Sequence, residues 1–188
     1  MVSRITTLLA FIAVASSASA ALDLTPTPGV RELEGIKFQQ LLFHDGNRTV
    51  SYEAPRGWNY YGGGNRLELI PQNLSLAKAS IDVRPLSATA ISVADLQAAA
   101  LRDVPEMAEN SQLLAENGEA VAIDGQATVE VTIGYTISGQ RFAKSVYLLP
   151  RSDCELVFTV ISRATDFEKV RGAFQQSLCG LQWSPPSR

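Results

Sequence analysis

The segment between Asp124-Gly125 and Ser138-Gly139 constrains this chain most. Within it Val129, Val131, Ile133, Tyr135 and Ile137 alternate with Thr128, Glu130, Thr132 and Thr136. A period of two puts the apolar set on one face of a strand and the polar set on the other. Turn dipeptides on both sides bring the chain back beside itself, so its neighbours have to be antiparallel strands. The pattern predicts a meander over 112–123, 126–137 and 140–149, followed by an apolar inner strand over 155–161.

Earlier in the chain, 36–43 and 48–54 read as strands joined through Asp45-Gly46, a hairpin signal. Residues 67–70 and 77–84 read as further strands; in the second, Ala79, Ile81 and Val83 alternate with Ser80, Asp82 and Arg84. Two helices are expected. The first follows a capping box at Ser92 to Asp95, with Val93, Leu96, Ala100, Val104 and Met107 at helical spacing and Pro105 ending it. The second follows a box at Thr165 to Glu168, with Phe167, Val170, Phe174 and Leu178 as its apolar stripe and Gly180 as its stop. Strands, helix, meander, helix, without βαβ alternation, is the order of an α+β domain with a mostly antiparallel sheet. The domain is assigned to 36–183, with an extended lead-in over 21–35 that carries two prolines and a tail over 184–188.

Residues 1–20 have the form of an export signal: a basic start at Arg4, a short apolar run, and Ala18-Ser19-Ala20 before cleavage after Ala20. The apolar run is shorter than the ~20 residues that span a bilayer. A periplasmic or secreted protein, with no membrane insertion after cleavage, is expected. Loss of Arg4 with the leader takes the formal charge from −3 to −4. A mildly acidic chain without a basic stripe argues against nucleic acid. Cys154 and Cys179 are the two cysteines; in an exported protein a disulfide between them is favoured over two buried thiols or a thiol catalyst.

Motifs for catalysis are weak. His44 is the sole histidine, next to Asp45 at the lip of a hairpin, and no G-x-S-x-G elbow accompanies it. One histidine and two distant cysteines give no zinc spacing. Asp103, Glu106 and Glu109, with Glu116 and Glu119, read as a solvated acidic face rather than a cation site. Gly62-Gly63-Gly64 precedes a strand and lacks a following lysine, so it does not cradle phosphate. No enzyme activity, cofactor or metal is assigned. Trp58 reads as core, whereas Arg56, Tyr60, Tyr61, Asn65 and Arg66 form the candidate contact set, because aromatic and arginine side chains dominate binding hot spots.

Taken in order, "YEAPRGW", "ASIDVRPL", "SVADLQAAALRDV", the long meander around "VAIDGQATVEV" and the closing "TDFEKVRGAFQQSL" resemble the PsbP-like family. That family takes in the photosystem II extrinsic protein PsbP, the Mog-type Ran-binding protein and bacterial DcrB-like periplasmic proteins. The resemblance covers most of 36–183. It implies an α/β/α sandwich used for binding or assembly rather than catalysis, and therefore an exported accessory protein that contacts another envelope protein or complex. The alternative is an envelope protein that binds a small ligand or a divalent metal.

Overall fold

The computed structural model describes residues 22–87, 92–117 and 121–185. The leader over 1–20, Glu119 and the last three residues lie outside them. In chain order the elements are β1 (Asp23–Leu33), β2 (Ile36–Asp45), β3 (Arg48–Tyr52), β4 (Trp58–Gly63), β5 (Arg66–Pro71) and β6 (Lys78–Pro85). Helix α1 (Val93–Arg102) is followed by β7 (Glu109–Asn117), β8 (Ala122–Ile123), β9 (Gln126–Ala127), β10 (Val129–Ile137), β11 (Gln140–Pro150) and β12 (Cys154–Arg163). Helix α2 (Phe167–Leu178) and β13 (Gln182–Trp183) close the chain.

A seven-stranded sheet runs β4-β5-β6-β12-β11-β10-β7, a four-stranded sheet runs β1-β2-β3-β13, and β8 and β9 form a small hairpin. Every pairing among the described residues is antiparallel. The expected meander is present as β7, β10 and β11, with β12 on its far side.

Alternation along the strands divides the large sheet's side chains between two cores. On one face Leu67, Leu69, Ile81, Tyr147, Leu156 and Phe158 pack against the small sheet and against the α2 stripe of Phe167, Val170, Phe174 and Leu178. On the other face Val131, Ile133, Val146, Leu148 and Val157 pack under Leu96 and Ala100 of α1. The α/β/α sandwich is therefore not what forms. Only two helices occur among the described residues, of 10 and 12 residues, and a second antiparallel sheet covers much of the face that α2 shares. The fold is mostly antiparallel β structure.

Several local expectations shift. The lead-in is a full strand: β1 pairs with β2 from Leu33↔Ile36 down to Asp23↔His44. Pro26 and Pro28 are tolerated because β1 is the outer strand of its sheet, where a missing N–H costs no ladder bond. The β2–β3 turn is Gly46-Asn47, since Asp45 pairs with Arg48. Helix α1 ends at Arg102, so Met107 lies beyond it, 71% exposed, and the acidic residues after it share no helical face. The Ser92–Asp95 capping box forms in both directions. The box expected for α2 does not: Asp166 is the N-cap and makes no side-chain cap bond. Lys144, buried on β11, donates to the Asp103 carbonyl at the end of α1 (3.4 Å).

The cysteines are free, Cys154 buried and Cys179 exposed. The disulfide, expected from an even pair of cysteines in an exported protein, would require α2 to retrace the full length of β12. Ten residues of strand cover about 30 Å, whereas the 12 residues of helix return only about 18 Å. Cys179 therefore stops short of Cys154, and its Sγ lies 3.6 Å from the Gln175 carbonyl oxygen.

Candidate functional site

The connection from β3 to β4, Glu53 to Gly57, carries the candidate site. Trp58 donates its N–H to the Pro55 carbonyl (3.2 Å), and Gln72 donates to Gly57 (3.0 Å), which pins the turn to the end of β5. On one side of Pro55 a cleft of about 620 Å³ separates Glu53 and Arg56 from Gln176 and Gly180 at the end of α2. Beneath it Tyr52 and Ser177 share a buried hydrogen bond of 2.8 Å, and Ser177 donates to the Phe174 carbonyl. Burial raises the Tyr52 phenol well above its ordinary pKa, more than the Ser177 contact lowers it. On the other side of Pro55 a smaller cleft of about 200 Å³ lies between Trp58, Tyr60, Pro28 and Gln39. Arg56 and Tyr60 thus stand in adjoining clefts that share Ala54 and Pro55.

The stretch expected as a Tyr60–Arg66 loop is instead the body and turn of a hairpin. β4 pairs with β5 from Trp58↔Pro71 to Gly63↔Arg66, leaving Gly64-Asn65 as the turn. Gly64 has φ 58° while Asn65 stays at negative φ, the arrangement of a glycine-first hairpin turn. Gly62 is required for a different reason. A Cβ there would lie 2.5 Å from the Leu24 carbonyl oxygen, because β1 crosses directly over β4. Leu24 also donates its N–H to the Gly64 carbonyl (2.6 Å).

A two-residue turn makes Gly63 and Arg66 a hydrogen-bonded pair, so Asn59, Tyr61 and Gly63 direct their backbone groups at β5. Tyr60 and Gly62 direct theirs outward, and no described strand lies beyond β4. Tyr60 is 43% exposed on the Trp58 side, and Tyr61 is 61% exposed on the opposite face. The other two candidates sit at the far end of the hairpin. Arg66 bonds Asp82 (2.9 Å) and Glu68 (3.2 Å), and the Asn65 carbonyl accepts from the Val83 N–H (2.8 Å). The structure sets Arg56 and Tyr60 in separate, adjoining clefts, turns Tyr61 to the other face, and leaves Asn65 and Arg66 at the far end of the hairpin.

His44 is exposed on β2, and Asp45 is engaged by the Trp183 indole N–H (2.9 Å). Among the described residues no group of three or more His, Cys, Asp or Glu is placed to hold a metal ion, and no helix is long and apolar enough to cross a membrane.

One polar cluster went unread in the sequence. Glu130, 1% exposed, takes a two-pronged contact from Arg171 of α2, Nε to Oε1 and Nη2 to Oε2, each 2.7 Å. Ser145 donates to Glu130 (2.6 Å) and pairs with Thr132 (2.6 Å). Burial by itself would raise the Glu130 pKa, but the Arg171 and Ser145 hydrogen bonds win and hold it down at about 2. The available signal was Arg171 itself, four residues after Phe167 and three before Phe174, and therefore at the margin of the buried stripe.

No family model and no curated protein matches the chain. Solved structures do. A point mutant of Mog1 aligns with a TM-score of 0.50 at 12% identity, over 84% of this chain and 95% of that one. LpqN, described as involved in cell envelope biogenesis of Mycobacterium tuberculosis, aligns at 0.48 and 12%, over 86% and 92%. The cyanobacterial PsbP of Synechocystis sp. PCC 6803 aligns at 0.48 and 11%, over 89% and 95%. The chain has a Mog1-like fold. At such identities the likeness concerns architecture only, and nothing in it bears on the DcrB-like proteins.

Proposed function

We propose that this chain is an exported, non-catalytic binding protein that holds an extended segment of another envelope protein against the free edge of β4. Export rests on the leader read over 1–20. Binding rests on one observation: β4 ends its sheet with the backbone groups of Tyr60 and Gly62 directed outward and an exposed tyrosine on either face. An added strand gains main-chain hydrogen bonds along such an edge, and its alternate side chains take their specificity from the two faces. The Trp58–Tyr60 cleft receives one set, and Arg56 supplies a cation in the adjoining cleft.

The test is crosslinked capture from native envelope extract with three forms of the mature protein. These are wild type, the Tyr60→Ala/Tyr61→Ala double variant, and Tyr60→Pro. The proline removes an outward N–H while leaving the bonds to β5 intact, since those come from Asn59 and Tyr61. A partner held by wild type and lost by both variants is the expected result. Identical partner profiles for the three forms sink the reading.

A further inference from the structure

The two helices are held to the large sheet in different ways. Of the 12 residues of α2, Phe167, Val170, Phe174, Ser177 and Leu178 are buried, and Arg171 adds its two-pronged contact with Glu130. Of the 10 residues of α1 only Leu96 and Ala100 are buried. Among the described residues no side chain of α1 forms an ion pair or hydrogen bond with the sheet; Asp95 bonds back to Ser92 in the capping box. Yet α1 covers a continuous apolar strip, made of Val131 and Ile133 of β10, Val146 and Leu148 of β11 and Val157 of β12. That strip is separate from the main core on the other face.

A charge interrupts the strip beneath the end of α1. Lys144 of β11 stands opposite Ile133 in the register and is 5% exposed. A lysine ammonium has three N–H donors to satisfy. Its hydrogen bond among the described residues goes to the Asp103 carbonyl at 3.4 Å, longer than the roughly 2.7–3.2 Å of a well-formed bond. The carbonyl end of a helix favours a cation, but one long bond to a neutral acceptor does not replace the water that burial removes. Burial accordingly pushes the Lys144 amine below its ordinary pKa; the Asp103 charge opposes this, while Arg84 and Lys78 add to it. Lifting α1 would return the ammonium to water and expose the strip, and these two consequences have opposite signs.

We infer that α1 is a lid over this strip, held shut by Leu96 and Ala100 and biased toward opening by the buried ammonium of Lys144. Elements with few buried apolar contacts open locally, without unfolding of the whole domain. Leu96 and Ala100 belong to the smaller cluster alone, so release of α1 leaves the main core packed. A helix kept only for packing would sit better on an apolar side chain, because replacing a poorly paired buried charge removes a desolvation cost. The open form presents five branched aliphatic side chains on one face of the sheet. That face is the one away from α2, and its exposure does not involve the β4 edge.

Amide hydrogen exchange of the mature protein, read residue by residue by NMR at several low urea concentrations, tests this. The comparison is between Gln97 to Arg102 of α1 and Arg171 to Leu178 of α2, which lie past the first turn of each helix. In wild type the α1 amides should exchange at least about a hundredfold faster than those of α2, with little dependence on urea, as a small opening requires. Lys144→Met should slow α1 exchange at least about tenfold by removing the buried charge, and Leu96→Ala should quicken it. A rate and urea dependence common to both helices would overturn the lid, since α1 would then open only with the whole domain. So would α1 exchange that Lys144→Met leaves unchanged or quickens, or that Leu96→Ala leaves unchanged. Because the readout is independent of partner capture, failure here leaves the β4 edge reading untouched, and the reverse holds.

Discussion

The Arg171–Glu130 contact offers the most searching test of how the fold is held together. Arg171→Met removes the guanidinium and leaves a carboxylate that is 1% exposed and bonded only by the neutral hydroxyls of Ser145 (2.6 Å) and Thr132 (3.4 Å). Removing one member of a buried pair costs about 3–5 kcal/mol, since the remaining charge stays desolvated. The Arg171 side chain is 20% exposed, which favours the lower end, about 3 kcal/mol. A domain of this size then loses about 6–12 °C of melting temperature. The pH dependence gives a second estimate. Glu130 is held at about 2 against an ordinary 4.5, a gap corresponding to roughly 3 kcal/mol at most. A lowered carboxylate pKa contributes stability that is fully present above about pH 4.5 and is lost as pH falls through about 2. Urea unfolding of wild type and Arg171→Met from pH 7 to pH 2 should therefore show curves that are separated at neutral pH and converge in acid. The Glu130→Leu/Arg171→Met double variant should recover much of the single-variant loss, because no unpaired charge remains. A loss below about 1 kcal/mol at pH 7, or a constant separation at all pH values, would refute the reasoning.

Other substitutions separate local causes from tertiary ones. Gly62→Ala should cost about 1–3 kcal/mol by forcing β1 off β4, while Gly63→Ala, whose added methyl meets nothing within 4 Å, should lie within about 0.5 kcal/mol of wild type; denaturant midpoints decide. Ser92→Ala should cost about 1 kcal/mol through its lost cap, and Asp166→Ala should cost almost nothing, because its side chain caps no N–H. Cys179 should react with a maleimide in the folded protein and Cys154 only on unfolding, since burial, with Asp153 and Asp45 nearby, pushes its thiol up to about 11. Added reductant should leave the melting temperature unchanged; a reductant-sensitive melt would restore the disulfide.

Periodicity and turn chemistry alone determined β6, β10, β11 and β12, the α1 capping box and the buried stripe of α2. These depend on contacts within a few residues, and each has one geometric solution that a sequence displays directly. What covers each face was decided only by tertiary structure. Glu130 and Thr132 read only as the polar face of an amphipathic strand, and such a face looks the same whether water or an arginine-bearing helix lies over it. β1 was unreadable because prolines that exclude a central strand are harmless at an edge, and edge position is a property of the sheet. The disulfide failed on the difference in rise between strand and helix, which becomes visible only when both are laid side by side. The three glycines gained their meaning in the same way. Gly64 serves a turn that local sequence could announce, but Gly62 is required by Leu24, 38 residues earlier in the chain, and only the folded protein brings that carbonyl over β4.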